Sequence, residues 1–275
     1  LSEDRSRMTV NKIYDTVIQS VVRISNGINT IGSGYVYDSQ GHVVTAHHVT
    51  AELNNIYVIF EDGQTSQASL IGSSETSDVS VLLIDNQLDI TPVRMADSRD
   101  IQIGEAVIAI GSPFDLSGTV ISGIISQVDR AAIIGDEADS RLISNLIQFD
   151  APANFGFSGG PLFNRDGDVI GLIIARIDPT SGDGISYAVS ANKVTKVTDT
   201  IINTGFYDYP WLGIRVNNIT PETAEEYNVN SINGIIVSSV FPGSPADQAG
   251  LQPDDIIVGI DARAMRKVDD LTSYL

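Results

Sequence analysis

The stretch Asn154–Phe155–Gly156–Phe157–Ser158–Gly159–Gly160–Pro161–Leu162 organises the chain. Three glycines surround Ser158, and glycine adopts backbone angles that other residues resist while leaving its amide N–H unobstructed. A serine hydroxyl beside such amides suits attack on a carbonyl, because the amides stabilise the developing oxyanion. A glycine-rich turn between strands is the plainer interpretation. Ser158 therefore needs a histidine base and an orienting carboxylate from elsewhere in the sequence.

Composition limits the partners and the chemistry. The 275 residues, 42% of them hydrophobic, are enough for two ordinary domains or one large one. A net charge of −19 argues against nucleic acid and anionic membranes as partners. The absence of cysteine excludes disulfides, zinc–thiolate sites and a cysteine nucleophile. The sequence starts at Leu1 rather than Met, so we expect a trimmed chain from which any signal peptide or N-terminal membrane anchor would have been removed.

Short β-branched runs separated by Gly, Asp, Asn and Ser turns predict an all-β sandwich or barrel in the first two hundred residues. The predicted strands are 20–25, 31–37, 42–45, 56–60, 67–71, 80–84, 106–110, 119–126, 146–149, 161–163, 169–176 and 184–189. The polar residues 130–145 are predicted to form a long loop. A helix is predicted over 190–204, with Ser190 as its N-cap and Gly205 beyond its end.

The pattern changes after a linker, and we place a domain boundary near residue 208. Beyond it the sequence predicts a small α+β unit with strands at 212–216, 234–240 and 256–260, and helices at 221–227, 245–249 and 268–275. Val268, Leu271 and Leu275 recur at helical spacing and form one apolar face.

The candidate bases are His42, His47 and His48, since histidine has a pKa near neutrality. His42 lies in a predicted strand and is expected to face solvent. The adjacent pair follows a strand end. A metal site at this pair would need further ligands at matching spacing, and none is evident. Asp78 precedes an apolar strand and is the candidate carboxylate, although an ordinary turn aspartate is the alternative.

Two acidic runs, at 164–168 and 178–184, lack the spacing of a calcium loop and are interpreted as turns. We therefore expect neither a metal nor another cofactor.

The candidates occur in the order His, Asp, Ser within Thr45–Ala46–His47–His48–Val49, Ser77–Asp78–Val79–Ser80–Val81–Leu82 and Gly156–Phe157–Ser158–Gly159–Gly160–Pro161–Leu162. These stretches resemble the trypsin-like serine peptidases and, within them, the HtrA (Deg) family. Gly32–Ser33–Gly34 is a further match. The resemblance covers nearly the whole chain.

Matched residue by residue, the resemblance implies that His48 is the base, Asp78 its orienting acid and Ser158 the nucleophile. His47 then occupies a position that is usually Asn in the family. The amides of Gly156 and Ser158 would form the oxyanion hole.

The C-terminal part carries two further motifs of the family. Trp211–Leu212–Gly213–Ile214 resembles the carboxylate-binding loop of an HtrA-type PDZ domain, and residues 241–251 resemble its central motif. A strand edge with amides in a glycine turn captures an extended peptide and its C-terminal carboxylate. The alternative role for Trp211 is packing against the linker. Asp254 replaces a usual glycine, and aspartate tolerates the left-handed turn expected there.

The resemblance implies a chymotrypsin-like double antiparallel β-barrel over residues 1–207, followed by a PDZ-like domain over 208–275 that is incomplete at its C-terminus. We therefore expect the natural protein to continue past Leu275. The active site would lie between the barrels.

The resemblance also implies a serine endopeptidase of unfolded or misfolded proteins that acts in quality control in the periplasm or cell envelope. It implies a homotrimer with a preference for small or medium aliphatic P1 residues. Ala153, Phe155 and Phe157 depart from the family pattern and leave that preference open. Two alternatives are a catalytically silent scaffold that recruits partners through its PDZ domain, which the intact triad argues against, and a processing or sensor protease for one target.

Overall fold

The computed structural model describes residues 8–84, 91–134, 141–176 and 184–275. The chain divides into two compact units, Leu1–Tyr207 and Asp208–Leu275, which are described separately. No helix in the described ranges is long and apolar enough to cross a membrane.

The first unit begins with a closed barrel of six antiparallel strands in the order β1-β2-β3-β6-β5-β4. Its strands are β1 (Val21–Ser25), β2 (Thr30–Val36), β3 (His42–Thr45), β4 (Ile56–Ile59), β5 (Thr65–Ser74) and β6 (Val79–Ile84). In β1, four of the five residues are buried and Arg23 is half-buried, so both faces of the strand are covered. Helix α1 (Val10–Val17) precedes the barrel, and the one-turn helix α2 (His47–Thr50) follows β3.

His42 does not face solvent, so that expectation was wrong. The residue is 7% exposed, and its Nδ1 lies 2.6 Å from an Asp38 carboxylate oxygen. The tight turn before β3 reverses the chain direction and brings the Asp38 carboxylate against the His42 imidazole ring. Strand pairing with Leu83 of β6 completes its surroundings.

The second closed barrel also has six strands, in the order β10-β11-β12-β9-β8-β7, so the double antiparallel β-barrel implied by the resemblance is confirmed. Its strands are β7 (Ala106–Gly111), β8 (Thr119–Ile134), β9 (Arg141–Phe149), β10 (Pro161–Phe163), β11 (Val169–Arg176) and β12 (Ser186–Ser190).

The long loop predicted over 130–145 was wrong at both ends. Strand β8 continues to Ile134, β9 begins at Arg141, and Ile133 pairs with Leu142. Residues 135–140 lie outside the described ranges. Both strands are exposed where Ile133 pairs with Leu142, so polar residues near these strand ends are compatible with a paired backbone.

Helix α3 (Ala191–Thr204) closes the first unit and packs against β5, β6 and β11. Val194, Val197 and Ile201 are buried on one face. Gly205 ends the helix with φ +86°, as predicted. Ser190 occupies the N-cap position, but its side chain makes no capping hydrogen bond.

The second unit contains a three-stranded sheet in the order β13-β14-β15 and a two-stranded hairpin. Its strands are β13 (Ile214–Asn218), β14 (Ile235–Val240), β15 (Ile256–Ile257), β16 (Gly259–Ile260) and β17 (Arg263–Ala264), and its helices are α4 (Pro221–Glu226), α5 (Pro245–Gln248) and α6 (Val268–Tyr274). The single strand predicted over 256–260 is therefore broken in two. Asp254 has φ +74°, which confirms the left-handed turn.

Helix α6 covers the sheet of the second unit through its apolar face. Leu271 is buried in a cluster with Ile235 and Met265, and Val268 and Leu275 pack against the same cluster. The helix also contacts β13, and the Val268 N–H donates to the Asn218 side-chain oxygen at 2.7 Å. The spacing seen in the sequence therefore does mark the buried face.

Candidate active site

The structure brings His48 and Asp78 together through two hydrogen bonds. The His48 backbone N–H donates to Asp78 Oδ1 at 2.9 Å, and His48 Nδ1 lies 2.7 Å from Asp78 Oδ2. The Asp78 side chain is 2% exposed and that of His48 is 36% exposed. A buried carboxylate on Nδ1 keeps that nitrogen protonated, which leaves the lone pair of Nε2 available as a base.

Local backbone geometry aims the Asp78 carboxylate. Asp78 ends a turn in which its N–H donates to the Glu75 carbonyl at 3.2 Å, and it adopts φ +51° immediately before β6. Aspartate is among the few residues that tolerate this left-handed region.

A second contact ties the same two elements together. The Thr50 and Ser80 hydroxyls lie 2.8 Å apart and are buried, each two residues beyond a member of the His48–Asp78 pair. Sequence reasoning missed this contact. Its only sequence signal is a hydroxyl residue two positions after each candidate.

Glycines allow the Ser158 loop to lie tightly between the barrels. A Cβ on Gly159, where φ is +84°, would lie 2.2 Å from the Ser33 carbonyl oxygen of the first barrel. A Cβ on Gly156 would lie 2.5 Å from Cα of Pro113 in the second barrel. Both approaches are closer than a side chain permits, so the loop needs glycine at these positions.

The same packing brings Ser158 near the histidine helix. A Cβ on Gly32 would lie 2.7 Å from the Val49 side chain and 2.8 Å from the Ser158 carbonyl oxygen. The Ser33 N–H also donates to that carbonyl at 2.8 Å. The Ser158 backbone and the Val49 side chain of α2 thus both pack against Gly32.

The Ser158 hydroxyl does not hydrogen-bond to His48 in this structure. Its Oγ instead lies 3.5 Å from the Ile174 carbonyl oxygen, at the long limit of such a bond. In enzymes without substrate, catalytic hydrogen bonds are often long or unmade and tighten when the substrate binds. The His48–Asp78 half of the constellation is assembled here, and the nucleophile–base bond is not.

A tight turn over residues 154–157 precedes Ser158. The Phe157 N–H donates to the Asn154 carbonyl at 3.0 Å, and Gly156 has φ +99°, as a type II turn demands. A type I turn would reverse the peptide between Phe155 and Gly156. Within the described ranges, the amides of Gly156 and Ser158 donate to no protein acceptor, so both are available to a ligand.

Ser33 holds this turn in place, a role that sequence reasoning missed. Its hydroxyl donates to the Gly156 carbonyl at 2.6 Å and accepts from the Ser112 N–H at 3.0 Å, and the residue is fully buried. The sequence signal was the match at Gly32–Ser33–Gly34, which marks the residue but not its partner.

The two aromatic residues of the loop have different environments. Phe157 is 1% exposed and belongs to the core of the second barrel, where a Cβ on Gly111 would lie 2.8 Å from its ring. Phe155 is 68% exposed. Phe157 is therefore an anchor of the loop, and Phe155 is its exposed residue.

His47 lies beside the pair without joining it. Burial is the largest cause that lowers the pKa of His47. The charge of Asp78 raises this pKa, whereas the charge of Arg141 lowers it further. Its Nδ1 is buried without a hydrogen-bond partner. Within the described ranges, no cluster of three or more His, Asp or Glu residues is arranged to hold a metal ion.

Comparison with known proteins identifies the family of this chain. A family model described as a trypsin-like peptidase domain matches residues 32–172, just over half of the chain, and a PDZ domain model matches 236–275. The solved structure titled HtrA-type protease AlgW with decapeptide has a TM-score of 0.79 and 28% identity, covering 97% of this chain and 90% of that one. This chain belongs to the HtrA family of trypsin-like serine proteases.

Curated HtrA-family relatives cover most of the chain. The periplasmic serine endoprotease DegP of Escherichia coli (strain K12) is 34% identical over 235 residues, which are 85% of this chain and 48% of DegP. The probable periplasmic serine endoprotease DegP-like of Rhizobium meliloti (strain 1021) is 34% identical over 241 residues, which are 87% and 47%. The chain spans about half the length of the curated relatives it matches.

The HtrA-type carboxylate-binding loop predicted at Trp211–Leu212–Gly213–Ile214 leads directly into β13. The Leu212 carbonyl accepts from the Ala246 N–H at 3.1 Å, and the Gly213 carbonyl accepts from the Phe241 N–H at 2.9 Å. Gly213 has φ +78°, and a Cβ there would lie 2.1 Å from the Ser244 Cβ.

The two carbonyls of this loop are engaged, whereas its amides are not. Within the described ranges, the N–H groups of Leu212 and Gly213 donate to no protein acceptor. Ile214 begins β13 and pairs with Val240. In the sheet order, β13 is an outer strand, next to α6. This arrangement fits capture of an extended peptide and its terminal carboxylate.

Proposed function

We propose that this chain is a serine endopeptidase in which His48, Asp78 and Ser158 form the catalytic triad. The observation that carries the proposal is the doubly hydrogen-bonded His48–Asp78 pair beside a Ser158 loop that only glycines allow to fit between the barrels. The amides of Gly156 and Ser158 are proposed as the oxyanion hole.

In the proposed reaction, Ser158 Oγ attacks the peptide carbonyl carbon while His48 Nε2 takes its proton. The Asp78 carboxylate stays ionised and stabilises the imidazolium ion. The two amides donate hydrogen bonds to the carbonyl oxygen as negative charge develops on it. His48 then donates its proton to the leaving amine, and water hydrolyses the acyl-enzyme by the same steps.

The substrates that we propose are unfolded or misfolded polypeptides in the periplasm or cell envelope, with preference for small or medium aliphatic P1 residues. The names of the periplasmic relatives support the compartment.

The second unit is proposed to bind C-terminal peptide segments, in keeping with the PDZ match and the peptide-bound AlgW structures. We propose a homotrimer by family resemblance alone.

A fluorophosphonate probe tests the catalytic assignment. It should label the wild-type chain and not Ser158→Ala, while Ser25→Ala, which changes another buried serine, should label normally. Unfolded casein should be cut by the labelled forms and a stably folded protein should not. Absence of labelling in a wild-type chain that still binds C-terminal peptides would instead support the silent scaffold.

A further inference from the structure

The second unit exposes two aromatic rings and an arginine beside the carboxylate-binding loop. Trp211 is 62% exposed and Phe241 is 39% exposed, with ring centroids 6.1 Å apart. The Arg215 guanidinium lies 5.6 Å from the centre of the Phe241 ring. We call these three residues the aromatic platform.

Arg215 of the platform lies on the face of β13 opposite the apolar residues that pack toward α6. Ile214 and Val216 pack with Leu271 of α6, while Arg215 between them is exposed. Side chains alternate between the two faces of a strand, so this division follows from the two-residue period.

The division assigns a face to each residue of a bound peptide. A C-terminal carboxylate held by the amides of Leu212 and Gly213 lies where β13 begins, so the peptide must run antiparallel to β13 along its outer edge. Its last side chain faces α6, together with Ile214. The penultimate side chain then faces the other way, toward Arg215.

Arg215 has the chemistry of a carboxylate receptor. In the described ranges, no carboxylate lies within ion-pair distance of it, although acidic residues outnumber basic residues 35 to 16. The guanidinium lies over the Phe241 ring, and Arg215 is exposed to solvent. A planar fork of this kind binds carboxylates through two parallel hydrogen bonds.

We propose that Arg215 selects C-terminal peptides whose penultimate residue is aspartate or glutamate. This inference rests on the proposed peptide binding by the second unit and adds a side-chain preference to it. The last residue is apolar, because it faces the α6 side.

Binding of short fluorescent peptides that differ only in the penultimate residue tests the preference. The full 275-residue chain carries Ser158→Ala so that no peptide is cut. A peptide with penultimate glutamate should bind about three- to five-fold more tightly than its glutamine counterpart, the upper range for an exposed ion pair. The difference should shrink as ionic strength rises.

Arginine variants separate this pairing from general charge. Arg215→Gln should make the two peptides bind equally, and Arg215→Glu should favour a penultimate lysine. The matched control is Arg263→Gln, since Arg263 is also exposed and lies over an aromatic ring, that of Tyr274 at 5.8 Å. It should leave the glutamate preference intact. Binding of the glutamine peptide shows that each variant is folded.

Two results would overturn the inference while leaving peptide binding in place. One is equal affinity for the glutamate and glutamine peptides in the wild-type chain. The other is tightest binding of a penultimate phenylalanine with a ranking that Arg215→Gln does not change. If C-terminally amidated peptides bind as well as free acids, the proposed carboxylate recognition itself fails.

Discussion

Replacing Ser33 by alanine tests how the turn over residues 154–157 is held in place. We call it the oxyanion turn, because it carries the Gly156 amide proposed for the oxyanion hole. The Ser33 hydroxyl bridges the Gly156 carbonyl at 2.6 Å and the Ser112 N–H at 3.0 Å, and it does so in a fully buried site. Alanine removes both hydrogen bonds at once. The Gly156–Phe157 peptide, which adjoins the peptide carrying the Gly156 N–H, then loses the donor that anchors its carbonyl.

The structure sets the expected loss of stability and the expected loss of kcat. Each buried partner left unpaired costs about 1–3 kcal/mol, so two partners should lower the free energy of unfolding by about 2–4 kcal/mol after partial relaxation. Loss of one oxyanion donor lowers kcat by about 10²–10³-fold. Because Ser33→Ala frees the turn rather than deleting the donor, we expect kcat to fall by about ten-fold or more with little change in KM.

Ser25→Ala is the matched control. The Ser25 hydroxyl also donates to a carbonyl, that of Asn29 at 2.8 Å, and accepts from an amide, that of Gly27 at 3.0 Å. Urea denaturation and steady-state hydrolysis of a chromogenic peptide should show both variants destabilised but only Ser33→Ala slowed. Equal activities in the two variants would refute the claim that Ser33 positions the oxyanion turn.

Three further predictions concern the candidate site. His48→Ala should lower kcat by several orders of magnitude and His47→Ala far less, measured with the same peptide; the reverse ranking would show that the wrong histidine was assigned. Gly156→Ala should lose both activity and stability, because its Cβ would lie 2.5 Å from Pro113 Cα at φ +99°; an unchanged unfolding midpoint contradicts this. Burial lowers the pKa of His47 from 6.5, so below pH 6.5 the unfolded chain binds more protons and stability is lost as pH falls through the folded pKa. Denaturation above and below pH 6.5 should show a smaller loss in His47→Asn, and equal losses would rule out this contribution.

The sequence by itself indicated the all-β first unit, the α+β second unit and the order of the candidates His48, Asp78 and Ser158. These signals are local. The barrel strands show as short β-branched runs between turn residues, the apolar face of α6 shows its helical spacing, and Gly205 and Asp254 mark left-handed turns by residue type. Such features depend on neighbours in the chain, so they can be read without the fold.

Only the tertiary structure decided which distant groups meet. The Ser33 hydroxyl reaches Gly156 across 123 positions of sequence, and Thr50 meets Ser80 across 30. Burial of His42 by Asp38 and the Ser158 hydroxyl directed at Ile174 rather than His48 were equally invisible beforehand. A serine or histidine carries the same donors and acceptors wherever it lies, and its partner is chosen by how the two barrels close and pack together.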